Sequence, residues 1–331
     1  MEKVRKPLFV LIYEGKDITK DISEIFDSIS YTDYLSGMSD EISISLENRD
    51  GRWFKSWMPQ KADRLKLYLG YESSKLLNCG IFIIDEISYG GFPDKIDLKG
   101  SSFPYESPNL HKTKKRRTFE NTTLNSIVSG IAKENSLQPF VKIEPDVDIK
   151  RIDQFDETDA TFLTRIAEDY GYFIKFAEEK LIFSKFKNLE DEPASFTIKK
   201  DEIVSYMVKD TIHTLYKEAI VEYFDHKEQK LKTYTFHDPN IKWGETLKIN
   251  ESVDNLVQAQ EKAKAALRAR NMLSAKVTLE LMGDTRLVAG LTVNIEGFGN
   301  YDGKYIISSS THTLDSSGYI TSVELKKCLS Y

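Results

Sequence analysis

Residues Gln154–Tyr172, QFDETDATFLTRIAEDYGY, carry a helix start, an amphipathic helix and a helix stop in one run. Thr158 or Asp159 can accept a hydrogen bond from a free amide of the first turn, and the acids from Asp156 to Asp159 suit the positive end of the helix dipole. Phe162, Leu163, Ile166, Ala167 and Tyr170 then share one face at helical spacing, which predicts that they are core. Gly171 stands where a left-handed C-terminal cap is wanted, a conformation that glycine enters at little steric cost. Beyond it, Phe173–Phe176 and Leu181–Phe183 flank Glu178-Glu179-Lys180 and read as a tight hairpin. The whole run is packing and connection, with no chemistry in it.

Outward from this helix the chain is mainly β. Between residues 8 and 103 apolar and polar residues alternate, as in Ile42-Ser43-Ile44-Ser45-Leu46 and Leu65-Lys66-Leu67-Tyr68-Leu69, the mark of strands with one buried face. Leu8–Ile12 reads as the first strand, and a short helix is expected near residues 18–26. Residues 1–103 are therefore expected to be a β-barrel or sandwich, and 104–190 a middle α+β domain. That middle domain takes helices at about 121–136, capped by Asn121 or Thr122, and 158–170, with a hairpin at 172–184. Residues 191–331 return to strands, interrupted by a helix at about 253–273 that is capped by Ser252 and faced by Leu256, Val257, Ala263, Ala266 and Leu267. An internal match stands out. The order strand, Gly80-Ile-Phe-Ile-Ile-Asp85, turn, Lys95–Lys99 returns as strand, Gly303-Lys-Tyr-Ile-Ile-Ser308, turn, Ile320–Leu325. A duplicated unit and an ordinary β-meander both produce that order, so both readings stay open.

Composition sets the class. The 331 residues are enough for several cores, and 40% hydrophobic with 30% charged residues describe an ordinary globular protein. No apolar run approaches the roughly 20 residues of a membrane-spanning helix. The basic N-terminus precedes an apolar run that Tyr13 and Glu14 stop short of a signal core, so the expectation is a protein that stays in the cytoplasm where it is made. A net charge of −6 argues against a nucleic-acid surface over the whole molecule. Cys79 and Cys328 show no metal-ligand spacing and are read as reduced.

Five further segments carry a family resemblance. Gly15-Lys-Asp-Ile-Thr19, Tyr31-Thr-Asp33 with Ser39-Asp-Glu41, and Asn48-Arg-Asp-Gly-Arg-Trp53 with Trp57-Met-Pro59 come in the first part. Arg117-Thr-Phe-Glu-Asn-Thr-Thr-Leu124 and Gly297-Phe-Gly-Asn-Tyr-Asp-Gly303-Lys-Tyr305 follow. In this order, and with the Gln154–Tyr172 run, the chain resembles phage late control protein D, the baseplate hub family of contractile injection systems that also forms the first part of VgrG proteins. The resemblance implies an α+β, mainly β fold of two tail-tube-like β-barrels around a middle α+β domain. It implies a homotrimer whose six barrels imitate the six-fold tail tube above a three-fold spike. Its partners would be the tail tube protein, a separate spike protein, other baseplate proteins and the tape measure protein, with DNA only passing through the channel. VgrG proteins continue into an OB-like module where this sequence ends at Tyr331, hence the expectation of a separate spike. The expected place is the host cytoplasm during assembly and then the baseplate of a phage, a tailocin or a related machine.

The candidate sites are surfaces. Trp53, Phe54, Trp57 and Met58 load one connection with aromatic and apolar area, which marks either a partner contact or a plug for its own barrel; the expectation is that Trp53 and Trp57 contact a neighbouring subunit or the tube. Lys112, Lys114, Lys115, Arg116 and Arg117 put five positive charges in six residues, either a phosphate or intersubunit contact or a linker whose arginines pair with nearby acids; the second is favoured because no DNA-reading fold surrounds them. His111, His213, His226, His237 and His312 have no zinc spacing, and neither GxSxG nor a Walker loop occurs, so no catalytic, cofactor or metal residue is expected. The acid pairs Asp156-Glu157 and Glu178-Glu179 sit at cap and turn positions, where acids are solvated. Two other readings are a tail-associated cell-wall hydrolase or peptidoglycan-binding protein and, more remotely, a nucleic-acid-binding regulator.

Overall fold

Period-two alternation becomes strands with one wet face. In Glu41–Glu47 the side chains of Ile42, Ile44 and Leu46 are buried while Glu41 and Ser43 face solvent, and in Arg64–Tyr71 Leu65, Leu67 and Leu69 are buried. The computed structural model describes residues 5–331 except 73, 106, 178, 226, 227 and 254, so Glu178 and His226 lie outside the described residues.

Six strands build the first β unit: Pro7–Tyr13, Phe26–Tyr34, Glu41–Glu47, Arg64–Tyr71, Leu77–Gly90 and Lys95–Ser101. Numbered along the chain, they lie side by side in the order 2-3-6-5-4-1 around a core that includes Ile29, Ile44, Leu67 and Phe82. The expected helix is a single turn, Thr19–Ile22, and Phe26 already belongs to a strand. A second unit, made of Thr197–Lys199, Ile203–Asp210, Ala275–Met282, Thr292–Glu296, Gly303–Asp315 and Gly318–Lys327, repeats the same order around Val277, Leu279, Tyr305 and Val323.

The repeat holds at the level of single residues. The register between strands 5 and 6 skips one residue between Ile84 and Glu86 in the first unit and between Ile307 and Ser309 in the second. Strands 2 and 3 skip likewise between Phe26 and Ser28 and between Ile203 and Ser205. Superposing the bulges makes Gly80 equivalent to Gly303, both at positive φ, +102° and +136°. Bulges are designed features of strands, and two in matching places carry the argument for duplication that strand order alone left open. One difference remains: strand 1 is antiparallel to strand 4 in the first unit and parallel to it in the second.

Between the units lies the helical part. Lys115–Thr123 pairs with Asp148–Glu157, and Tyr172–Ala177, Lys180–Lys185 and Gln138–Lys142 form a second small sheet. Helices Leu124–Glu134 and Asp159–Tyr170 cover them. Thr123, rather than Asn121 or Thr122, caps the first helix, accepting from the Ser126 amide at 3.3 Å, because strand Lys115–Thr123 carries the chain up to the residue before the helix begins. Thr158 caps the second by accepting from the Thr161 amide at 3.3 Å, and Gly171 ends it at φ +73°. Phe162, Leu163 and Ile166 are fully buried.

Residues 191–331, expected as one barrel, hold two cores. Between Ile203–Asp210 and Ala275–Met282 the chain makes a separate sheet of Lys230–His237, Tyr216–Asp225 and Glu245–Val253, covered by helix Leu256–Asn271. Ser252 lies in that last strand, and Asn255 is the cap, accepting from the Gln258 amide at 2.9 Å. The buried face is Ala259, Ala263 and Leu267 against Ala219 and Val221, whereas Leu256 and Val257 are exposed. Ala263 and Leu267 thus lie on the face the spacing predicts, whereas the first-turn Leu256 and Val257 do not join it, and Ala259 does. Alanines on this helix allow close approach, and the Cβ of Ala265 comes within 3.2 Å of where a side chain on Gly171 would begin.

Candidate interaction surfaces

Strand Gly303–Asp315 joins the two β units. One edge pairs with Gly318–Lys327; the other is shared, residues 303–306 taking Thr292–Glu296 and residues 309–315 taking Phe26–Tyr34 of the first unit. Both units thus belong to one 13-stranded sheet, whose remaining member is the two-residue strand Lys16–Asp17 beside Pro7–Tyr13. At the junction Tyr31 stacks on His312 with ring centroids 6.0 Å apart, and the hydroxyls of Thr32 and Thr311 are 3.1 Å apart. His312 is fully buried, and burial lowers its pKa. A neutral ring donating from Nε2 to the Leu287 carbonyl (2.9 Å) and accepting at Nδ1 from the Tyr319 hydroxyl (2.7 Å) satisfies both nitrogens.

A lysine from the middle domain fastens this junction. Lys175 Nζ donates to Asp33 Oδ1 (2.5 Å), Asp40 Oδ1 (2.8 Å) and the Tyr34 carbonyl (2.9 Å). Asp33 also accepts from the Ala289 amide of the second unit at 2.9 Å, so one carboxylate holds three parts of the chain. Burial, and then the neighbouring Asp33, push the Asp40 carboxyl up to about 6 against the pull of Lys175. Burial alone would lower the Lys175 pKa, but Asp40 and Asp33 outweigh it and raise it. Sequence reasoning passed over these groups as sites, although Asp33 and Asp40 lie in the Tyr31-Thr-Asp33 and Ser39-Asp-Glu41 segments that had signalled the family.

The aromatic loop is divided between inside and outside. Trp53 is buried in the first core, with Trp57 edge-on against it at 5.4 Å and Arg52 over the Trp57 ring at 4.7 Å. Phe54 stacks on Tyr89 at 4.5 Å, and the Tyr89 hydroxyl donates to the Trp53 carbonyl at 3.1 Å. Phe54 and Met58 remain more than half exposed. Trp53 and much of Trp57 thus pack in their own barrel rather than facing outward for the expected partner contact, which leaves Phe54 and Met58 as the outward area of the loop.

The basic run is divided too. Residues 115–117 begin strand Lys115–Thr123, and Lys115 (2.7 Å) and Arg117 (2.9 Å) both bind the buried Asp159. Arg117 also reaches Gln154 and Glu134, each at 2.7 Å. Burial would raise the Asp159 pKa, but hydrogen bonds from Lys115, Asn135 and Gln154 and the charge of Arg117 hold it below the usual range. Lys112, Lys114 and Arg116 stay exposed, Arg116 resting over Phe155 at 4.7 Å. Other outward apolar side chains that the sequence reading did not single out are Phe92, almost entirely exposed at a hairpin tip, and Val204, Tyr206 and Met207 on the edge strand Ile203–Asp210. Cys79 is buried and Cys328 half-buried, and both are free.

A model of the YQBQ-like family matches residues 108–326. The chain belongs to this family. The probable baseplate hub protein of Escherichia phage 186 is 27% identical over 98% of this chain and 94% of its own length. That of Escherichia phage P2 is 31% identical over 54% of this chain and 45% of its own. Among solved structures, the 43 kDa tail protein of prophage MuSo2 from Shewanella oneidensis has a TM-score of 0.75 at 14% identity, covering 97% of this chain and 98% of that one; at this identity the likeness concerns the fold. The baseplate hub resemblance read from the motifs therefore holds, and so does the mainly β, α+β fold. This hub-family chain is a phage tail protein.

Proposed function

We propose that three copies of this hub chain assemble into a ring that adapts a six-fold tail tube to a three-fold spike. The observation that supports this reading is the duplication: two units with the same strand order and matching bulges stand side by side in one sheet. A ring of three such chains would present six like units, which is what a three-fold assembly needs in order to meet a six-fold one. The role is structural, with no catalytic residue, cofactor or metal assigned. Assembly takes place in the host cytoplasm, and the product is part of a virion or tailocin baseplate.

Sedimentation velocity of the purified chain, alone and mixed with its tail tube and spike proteins, tests the reading. The expected species is a trimer that binds both. A chain that stays monomeric in the presence of both proteins, and binds neither, would overturn it.

A further inference from the structure

The junction inside the chain has a free counterpart on each side of the molecule. Strand 5 of the second unit gives residues 309–315 to strand 2 of the first. The equivalent stretch of the first unit is residues 86–90 of Leu77–Gly90, and the equivalent of strand 2 in the second unit is Ile203–Asp210. Among the described residues, 85–90 make backbone pairs only with Lys95–Ser101, and 203–210 only with Ala275–Met282, so both stretches keep an open edge. Open edges are ready templates for another strand, and proteins that stay monomeric blunt them. Here they are bordered by apolar side chains instead: Val204, Tyr206 and Met207 on one, Phe92 and the Phe54–Tyr89 stack beside the other.

The geometry points to an intersubunit β-junction in which Ile203–Asp210 of one copy pairs antiparallel with residues 86–90 of the next copy, repeating the internal junction. This rests on the trimer reading and adds its contact and register. Transferring the observed pairs through the bulge equivalence sets the partners. Thr311 opposite Thr32 becomes Ser88 opposite Lys209, His312 opposite Tyr31 becomes Tyr89 opposite Val208, and Thr313 opposite Ser30 becomes Gly90 opposite Met207. Lys209 then lies diagonally across from Glu86, a complementary charge, and Phe92 lies beside Ser205 and Tyr206. The contact is heterologous, since different surfaces meet, so successive copies extend head to tail until the ring closes.

Cysteine pairing tests the register. Directly opposed residues of an antiparallel pair bring their Cβ atoms about 4.5–5.5 Å apart, close to disulfide reach. In tails assembled with the full chain, Ser88→Cys with Lys209→Cys is expected to give covalent dimers and trimers on mild oxidation, at least about ten times the yield of either single variant. Thr32→Cys with Thr311→Cys reports the same geometry within one chain. Met207→Glu, at an exposed position, is expected to keep the melting profile and lose self-association. Tails that incorporate the chain and form the 32–311 bond but no 88–209 bond would overturn the junction and leave the hub reading standing. A wild-type chain absent from purified tails would overturn both.

Discussion

Lys175 is the residue on which the arrangement of the units most depends. It is the cation facing Asp33 and Asp40 at the junction, and removing one partner of a buried ionic cluster typically costs about 3–5 kcal/mol because the remaining charges are stranded. Lys175→Met is therefore expected to lose about that much stability at pH 7.5 by urea unfolding. Asp40 titrates near 6 when folded against an ordinary value of 3.8, so the folded state holds this proton more tightly than the unfolded chain. Its contribution grows as pH falls through that window and fades as pH rises. Lys175, with a raised pKa, contributes fully below its ordinary value of 10.5 and loses its contribution only in more alkaline solution. The deficit of Lys175→Met should therefore shrink at pH 5, where Asp40 can take a proton; an equal deficit at both pH values would show that the carboxylates are not buried together. None of this was legible in the sequence, because Lys175 meets its acids across more than 130 residues.

At the scale of single elements, helix Asp159–Tyr170 was readable because its signals are local: Thr158, the apolar face and Gly171 lie within 14 consecutive residues. Gly171→Ala should cost about 1–3 kcal/mol, combining a left-handed backbone with a Cβ 3.2 Å from that of Ala265. Gly299→Ala, at φ +66° with open space around it, should cost only the backbone part, and equal melting shifts for the two would mean that helix Leu256–Asn271 does not press on this cap. The basic strand gives a second comparison. Arg117→Ala withdraws one charged hydrogen bond from buried Asp159 and should destabilise by about 2–3 kcal/mol, whereas Lys112→Ala with Lys114→Ala should stay within about 0.5 kcal/mol. The charge run looked uniform in sequence because the acid that divides it lies about 40 residues on. In helix Leu256–Asn271 the spacing finds Ala263 and Leu267, and only the inserted sheet shows that Ala259 joins them while Leu256 and Val257 stay exposed.

At the scale of the molecule, the sequence showed the repeat as a faint echo, Gly80-Ile-Phe-Ile-Ile-Asp85 beside Gly303-Lys-Tyr-Ile-Ile-Ser308. Strand order and bulges make the same alignment residue by residue, because register is set by backbone geometry that side-chain divergence leaves intact. The inserted sheet of residues 216–253 was hidden, since its strands have the same alternation as those of the barrel around it. What unites the chain is a sheet that runs through both units and stays open at equivalent edges. The most direct test is a cryo-EM reconstruction of the tail end with this chain in place. The account predicts three copies whose six β units form one ring against the tube, each subunit joined to the next through Ile203–Asp210 and residues 86–90. A map in which the chain forms no three-fold ring, or in which its two β units occupy unrelated positions against the tube, would contradict it.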